Sequence, residues 1–179
     1  MPLVSRHSDF ASRKARGFSL VEILVVVMVI LVIAAIAIPN LVRGKMSANE
    51  AAAAASVKNI HSAEIIYQNS YPDVGYSSNL ANLGTHGSNC ETPTSTNACI
   101  IMDDALTSGL KSGYIFDLVG DGTTPTQGYT VTATPESSAT GRCSVSTDEG
   151  GALRFFTPGA TTASKGRLSQ GSGGSSCEL

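Results

Sequence analysis

The residues from Phe18 to Ile38 constrain this chain more than anything else in it: 38 - 18 + 1 = 21 positions of almost pure Val, Ile, Leu and Ala, interrupted only by Ser19 and Glu22. As a helix rising about 1.5 Å per residue, such a run is about 31 Å long, the thickness of one bilayer hydrocarbon core. A secretory signal peptide has a shorter apolar region, of about 7 to 15 residues, followed by a small-residue cleavage site. Arg13, Lys14 and Arg16 precede the run. The positive-inside rule therefore places the N-terminal leader in the cytoplasm and everything after the run outside it. The C-terminal half is rich in Gly, Ser and Thr, so an apolar stem carries a polar head, and 179 residues suffice for one modest domain beyond the stem. With a net charge of -2 and no Lys/Arg cluster outside the leader, nucleic-acid binding is set aside.

The residues at the start of the run are specific. Gly17-Phe18-Ser19-Leu20-Val21-Glu22-Ile23-Leu24, with a basic leader before it and an apolar stretch after it, resembles the prepilin processing motif of type IV pilins and type II secretion pseudopilins. The similarity covers roughly residues 13–71 and is loose in the head. It implies that a membrane prepilin peptidase cuts between Gly17 and Phe18 and methylates the new Phe18 amine. The cut precedes the apolar segment, so the stem is kept. Removing Arg6, Arg13, Lys14 and Arg16 together with Asp9 takes away +3 and changes -2 to -5.

Glu22 needs a chemical explanation. A carboxylate within an apolar membrane helix costs about 2.5 to 3.5 kcal/mol on insertion scales, and its own run holds no basic neighbour. The resemblance implies a partner, the N-terminal amine of an adjacent subunit, in a buried pair whose value is register more than raw stability. The plainer reading has Glu22 near the membrane surface, reaching to water.

Past the apolar run, helix-forming residues continue. Pro39 removes a backbone donor and, with Gly44, marks a weak point where a kink is expected. From Ser47 to Tyr71, Ala51 to Ala55, Val57, Ile60, Ala63 and Tyr67 form an apolar stripe opposite Lys58, Asn59, His61 and Ser62. Pro72 and Gly75 supply a stop, which predicts one long helix from about Phe18 to about Tyr71. His61 and Glu64, at i and i+3, would suit two metal ligands but have no identifiable third, so they read as a solvated helix face and no metal site is assigned. Tyr67, Tyr71 and Tyr76 read as core packing.

The head reads as loop, short helix and sheet. Short helical turns are expected at residues 78–83 and 103–107, the latter capped by Asp103. Tyr114, Phe116 and Leu118 alternate with Ile115, Asp117 and Val119. After the turn at residues 120–125, Tyr129, Val131 and Ala133 alternate with Thr130, Thr132 and Thr134. Two more strands are expected at residues 143–147 and 152–157, joined by Asp148-Glu149-Gly150-Gly151. The expectation is a four-stranded antiparallel meander covering the long helix, an α+β fold like that of pilin heads. Its domains are the cleaved leader 1–17, the hydrophobic assembly helix 18–44, the amphipathic half 45–76 and the β-rich head 77–179.

Cys90, Cys99, Cys143 and Cys177 are even in number and contain no CxxC pair, which points to disulfides in an extracytoplasmic head. Four cysteines allow three pairings. Cys90 with Cys99 and Cys143 with Cys177 is the favoured one, the second resembling the disulfide-bounded C-terminal region of many pilins. Asp117 and Asp121 beside Gly and Thr could form a calcium loop of the kind pseudopilin heads carry, but the EF-hand pattern is absent and Asp-Gly is first a turn dipeptide. Ser5, His7 and Ser8 lie in the leader and no nucleophile elbow or paired acids stand out, so no catalytic residue and no cofactor are assigned.

The expected function is a structural subunit of a type IV pilus fibre, serving adhesion, motility or DNA uptake. Its partners are the prepilin peptidase, identical or related subunits, an inner-membrane assembly platform, and the membrane before assembly. The precursor is expected to cross the inner membrane once, with the mature form in an extracellular fibre. A pseudopilin driving protein secretion is the alternative. A membrane-anchored binding protein that does not polymerise is disfavoured, because a simple anchor needs neither Gly17 nor Glu22.

Overall fold

The computed structural model describes residues 17–85, 90–158 and 177; the leader up to residue 16, with Ser5, His7 and Ser8, and most of the glycine-rich tail lie outside the described residues. Two compact units divide at Asn40 and Leu41.

The first unit holds the opening half of α1, Leu20–Ser70. The helix starts where the Ser19 carbonyl accepts from the Glu22 and Ile23 amides at 3.0 and 3.3 Å. Glu22 lies in its first turn, where a negative charge suits the positive end of the helix. No residue from Leu20 to Asn40 is buried. This is what an aliphatic helix shows when none of the described residues covers it, and by length and composition it suffices to cross a membrane. Pro39 lies inside the helix without ending it, and Gly44 is helical too; beside the proline, the Asn40 side-chain amide donates to the Ile36 carbonyl at 3.3 Å.

The second unit begins at Leu41 and contains the rest of α1 and the sheet. Ala53, Ala54, Val57, Ile60, Ala63 and Tyr67 are buried at the three- and four-residue spacing of one helix face. Past α1 come a 3₁₀ turn, Leu80–Leu83, capped by the Asn79 side chain, and a one-turn helix α2, Asp104–Thr107, capped by Asp103. The sheet is an antiparallel meander of β1 (Leu110–Lys111), β2 (Tyr114–Gly120), β3 (Tyr129–Pro135), β4 (Ser144–Asp148) and β5 (Arg154–Phe156), in that order.

The sheet has five strands, one more than the sequence pattern suggested. β1 is only two residues long, too short for alternation to register. It pairs with β2 through Lys111 opposite Tyr114, and the two residues between, Ser112 and Gly113, both have positive φ, at 53° and 73°. That is the backbone of a two-residue hairpin turn matched to the strand twist. The four longer strands lie close to their expected positions. On β2, Tyr114, Phe116 and Leu118 are buried while Ile115, Asp117 and Val119 are exposed; on β3, Tyr129, Val131 and Ala133 join the same core. The long apolar helix and the five-stranded sheet together make an α+β architecture, with Leu83, Ile101 and Leu106 closing the core.

Candidate functional site

Two groups of residues bear on function, the N-terminal segment and the polar contacts that hold α1 to the head. In the first, Phe18 and Glu22 are both exposed, and a side chain added at Gly17 would meet nothing within 4 Å. Among the described residues Glu22 enters no ion pair. A carboxylate on an otherwise aliphatic surface is thus presented outward, available to another molecule.

In the second group, two glutamates of α1 are buried within the apolar stripe. Glu50 accepts a hydrogen bond from the Arg142 amide at 2.7 Å through Oε1, and the Arg142 Nε lies 3.6 Å from the same oxygen. One residue earlier, the Asn49 side chain donates to the Thr140 carbonyl at 2.9 Å. Together these tie α1 to the loop between β3 and β4. Two turns of helix further on from Val57, Glu64 is wholly buried. Its Oε2 accepts from the Ser77 amide at 2.8 Å, and its Oε1 has no partner among the described residues. Burial pushes the Glu64 carboxyl from 4.5 up to about 7, against the opposing pull of the Ser77 amide.

The solvated face expected at His61 and Glu64 is therefore corrected. Glu64 belongs to the core side of α1 because it falls four residues after Ile60 and three before Tyr67, both buried. His61 is half-buried: its Nδ1 lies 2.5 Å from the Tyr129 hydroxyl, and its ring packs so tightly on Gly151 that a Cβ there would come within 2.6 Å of Nε2. Burial raises the Tyr129 phenol well above its usual value, and the charges of Glu64, Tyr76, Glu149 and Asp148 add to the effect. Tyr67 is buried and its hydroxyl donates to the Ser95 carbonyl at 2.6 Å; Tyr71 and Tyr76 are half-buried against the same core. The spacing of Glu50 and Glu64 within the stripe was the signal that could have located both. Their charge hid it.

Cys90 is joined to Cys99 and Cys143 to Cys177, with Cα separations of 5.8 and 5.7 Å. The first closes the loop from which Ser95 reaches Tyr67; the second ties Cys177 to the start of β4. Asp117 stands on the exposed side of β2, and Asp121 holds its turn by accepting from the Thr123 amide and hydroxyl at 3.0 and 2.7 Å. Among the described residues no group of three or more His, Cys, Asp or Glu side chains could hold a metal ion.

Comparison with known proteins bears on the same N-terminal segment and on the head. Residues 12–38 match the model of the prokaryotic N-terminal methylation motif. The type IV wide pilus major component PilA4 of Thermus thermophilus is 30% identical to the chain over 127 residues, which make up 71% of this chain and 95% of that protein. No solved structure matches the chain.

Proposed function

The chain belongs to the type IV pilin family, and from that premise we propose that it is a structural subunit of a type IV pilus fibre rather than of a secretion pseudopilus. The observation that carries this reading is the match to a wide-pilus major component along 95% of that protein's length, head included. The family is structural, and its members assemble into polymers with related pilins after processing by prepilin peptidase.

In this reading the leader, residues 1–17, is removed between Gly17 and Phe18, and the helix beginning at Phe18 anchors the precursor in the inner membrane with the head outside. An inner-membrane platform then moves the helix from lipid into the fibre, where neighbouring helices replace lipid around the same aliphatic surface. That exchange costs little, because lipid tails and aliphatic side chains are equally apolar; association then depends on packing and on satisfying the few polar groups. Glu22 is the polar group at issue, and the methylated Phe18 amine of a neighbour is its partner, fixing the stagger between subunits. Residues 18–44 serve assembly, and residues 45–76 carry the β-rich head assigned to residues 77–179.

Fractionation tests the reading. Mechanical shearing of intact cells should release the chain in extracellular fibres as an abundant component. A processed chain confined to the membrane fraction, with none in sheared fibres, would overturn the pilus assignment in favour of a pseudopilus.

A further inference from the structure

Exposed apolar surface on α1 does not end at Ile38. Leu41 and Val42 are also exposed, so large hydrophobic side chains continue to Val42, the twenty-fifth position counted from Phe18 (42 - 18 + 1 = 25). Arg43 and Lys45 follow at once, both exposed, and among the described residues neither enters an ion pair. Their own helix offers no neutralising acid. None occurs between Glu22 and Glu50, and Glu50 is buried and committed to Arg142.

Two further considerations identify what these cations meet. Positions 43 and 45 are two residues apart, about 200° around a helix, so the side chains leave on opposite sides and cannot share one flat protein partner. A layer of headgroups surrounding the helix meets both. From Leu20, where α1 begins, to Val42 is 42 - 20 + 1 = 23 helical residues, about 35 Å, more than the roughly 30 Å hydrocarbon core and less than the roughly 40 to 45 Å that includes the headgroups. Arg43 and Lys45 therefore fall at phosphate level, with their aliphatic stems able to lie along the apolar zone.

We propose that Arg43 and Lys45 form a cationic collar that binds the lipid phosphates of the outward-facing leaflet and fixes the depth of the helix in the precursor. The inference rests on the membrane-precursor reading above. It gives the collar a second effect, because fixing the helix depth also fixes how far Glu22 lies inside the opposite surface. Each cation held at an anionic surface is worth about fivefold in occupancy, so the pair together biases the helix position by about 25-fold.

The chain contains no tryptophan, which makes Ile30→Trp a unique fluorescent depth reporter near the middle of the span. The full chain carrying I30W is reconstituted in phosphatidylcholine vesicles containing phosphatidylglycerol, with bromine placed either high or low on the acyl chains. With the collar intact, deep bromines quench the reporter most strongly. Adding R43Q and K45Q should change the deep-to-shallow quenching ratio at least twofold, raised salt should shift the parent protein the same way, and R43K with K45R should restore the parent ratio. An unchanged ratio in the Gln variant, with the reporter still quenched from within the bilayer, would overturn the collar alone. A reporter quenched by neither bromine would overturn the membrane reading and the collar with it.

Discussion

Glu22 and Glu64 are both carboxylates on α1, and their surroundings give them different tasks. Glu22 is exposed on an aliphatic surface, and in the proposed fibre its partner comes from a neighbouring subunit. Glu22→Ala should be processed normally and yet reduce the yield of sheared fibres at least tenfold; quantifying both precursor cleavage and fibre yield checks it, and undiminished fibre would contradict the pairing. Glu64 faces inward, and its folded-state value of about 7 lies above the ordinary 4.5. The folded head therefore holds a proton that the unfolded chain releases between these values, so this group's contribution makes stability fall as pH rises from about 4.5 to about 7. A shift of this size corresponds to up to about 3 kcal/mol at pH 8. Glu64→Gln keeps an acceptor for the Ser77 amide and removes the charge. Denaturant melts at pH 5 and pH 8 should show a flatter pH dependence for the variant and equal or greater stability at pH 8. The same slope in both proteins would mean that the carboxyl is already accommodated as an anion.

The long helix was legible because its apolar residues persist over many turns, β2 and β3 because apolar and polar residues alternate along them, and β4 and β5 because a Gly-rich turn lies between them. What escaped were features with no periodic signal of their own. β1 is two residues long, and the buried glutamates sit where charge argues for solvent while spacing argues for the core. The segment following α1 shows a third such case. There Gly75, with φ of 83°, pairs with Thr126 from the β2–β3 connection. The Tyr76 amide donates to the Thr126 carbonyl at 3.0 Å and the Thr126 amide to the Val74 carbonyl at 2.8 Å. As a sequence, Gly75 reads only as a helix stop. In the fold a Cβ there would come within 2.1 Å of the Thr126 backbone oxygen, and the positive φ adds strain. Gly75→Ala should destabilise the head by about 2 kcal/mol or more. Ile60→Ala, emptying a fully buried site on the facing helix, should cost about 2 to 5 kcal/mol. Chemical denaturation of each variant measures both.

For the molecule as a whole, the apolar stretch of α1 fits a membrane-anchored precursor, and disulfides persist only where no cytoplasmic reductant reaches them, which suits the proposed extracytoplasmic head. Its two disulfides close loops of different length, with sequence separations of 9 and 34 residues. Loop-closure entropy then predicts losses of about 3 kcal/mol for C90S/C99S and about 4 kcal/mol for C143S/C177S, ordered by loop length. The reverse order in equilibrium unfolding would show that contacts around the bridges outweigh chain entropy. All these properties meet in one object, the subunit in the proposed fibre. The most direct test is therefore the intact mass, with N-terminal sequencing, of the chain from sheared surface fibres. The expected result is a chain beginning at N-methylated Phe18 and, with both bridges formed, four hydrogens lighter than its reduced mass. A chain still beginning at Met1, or none in the fibres at all, would contradict it.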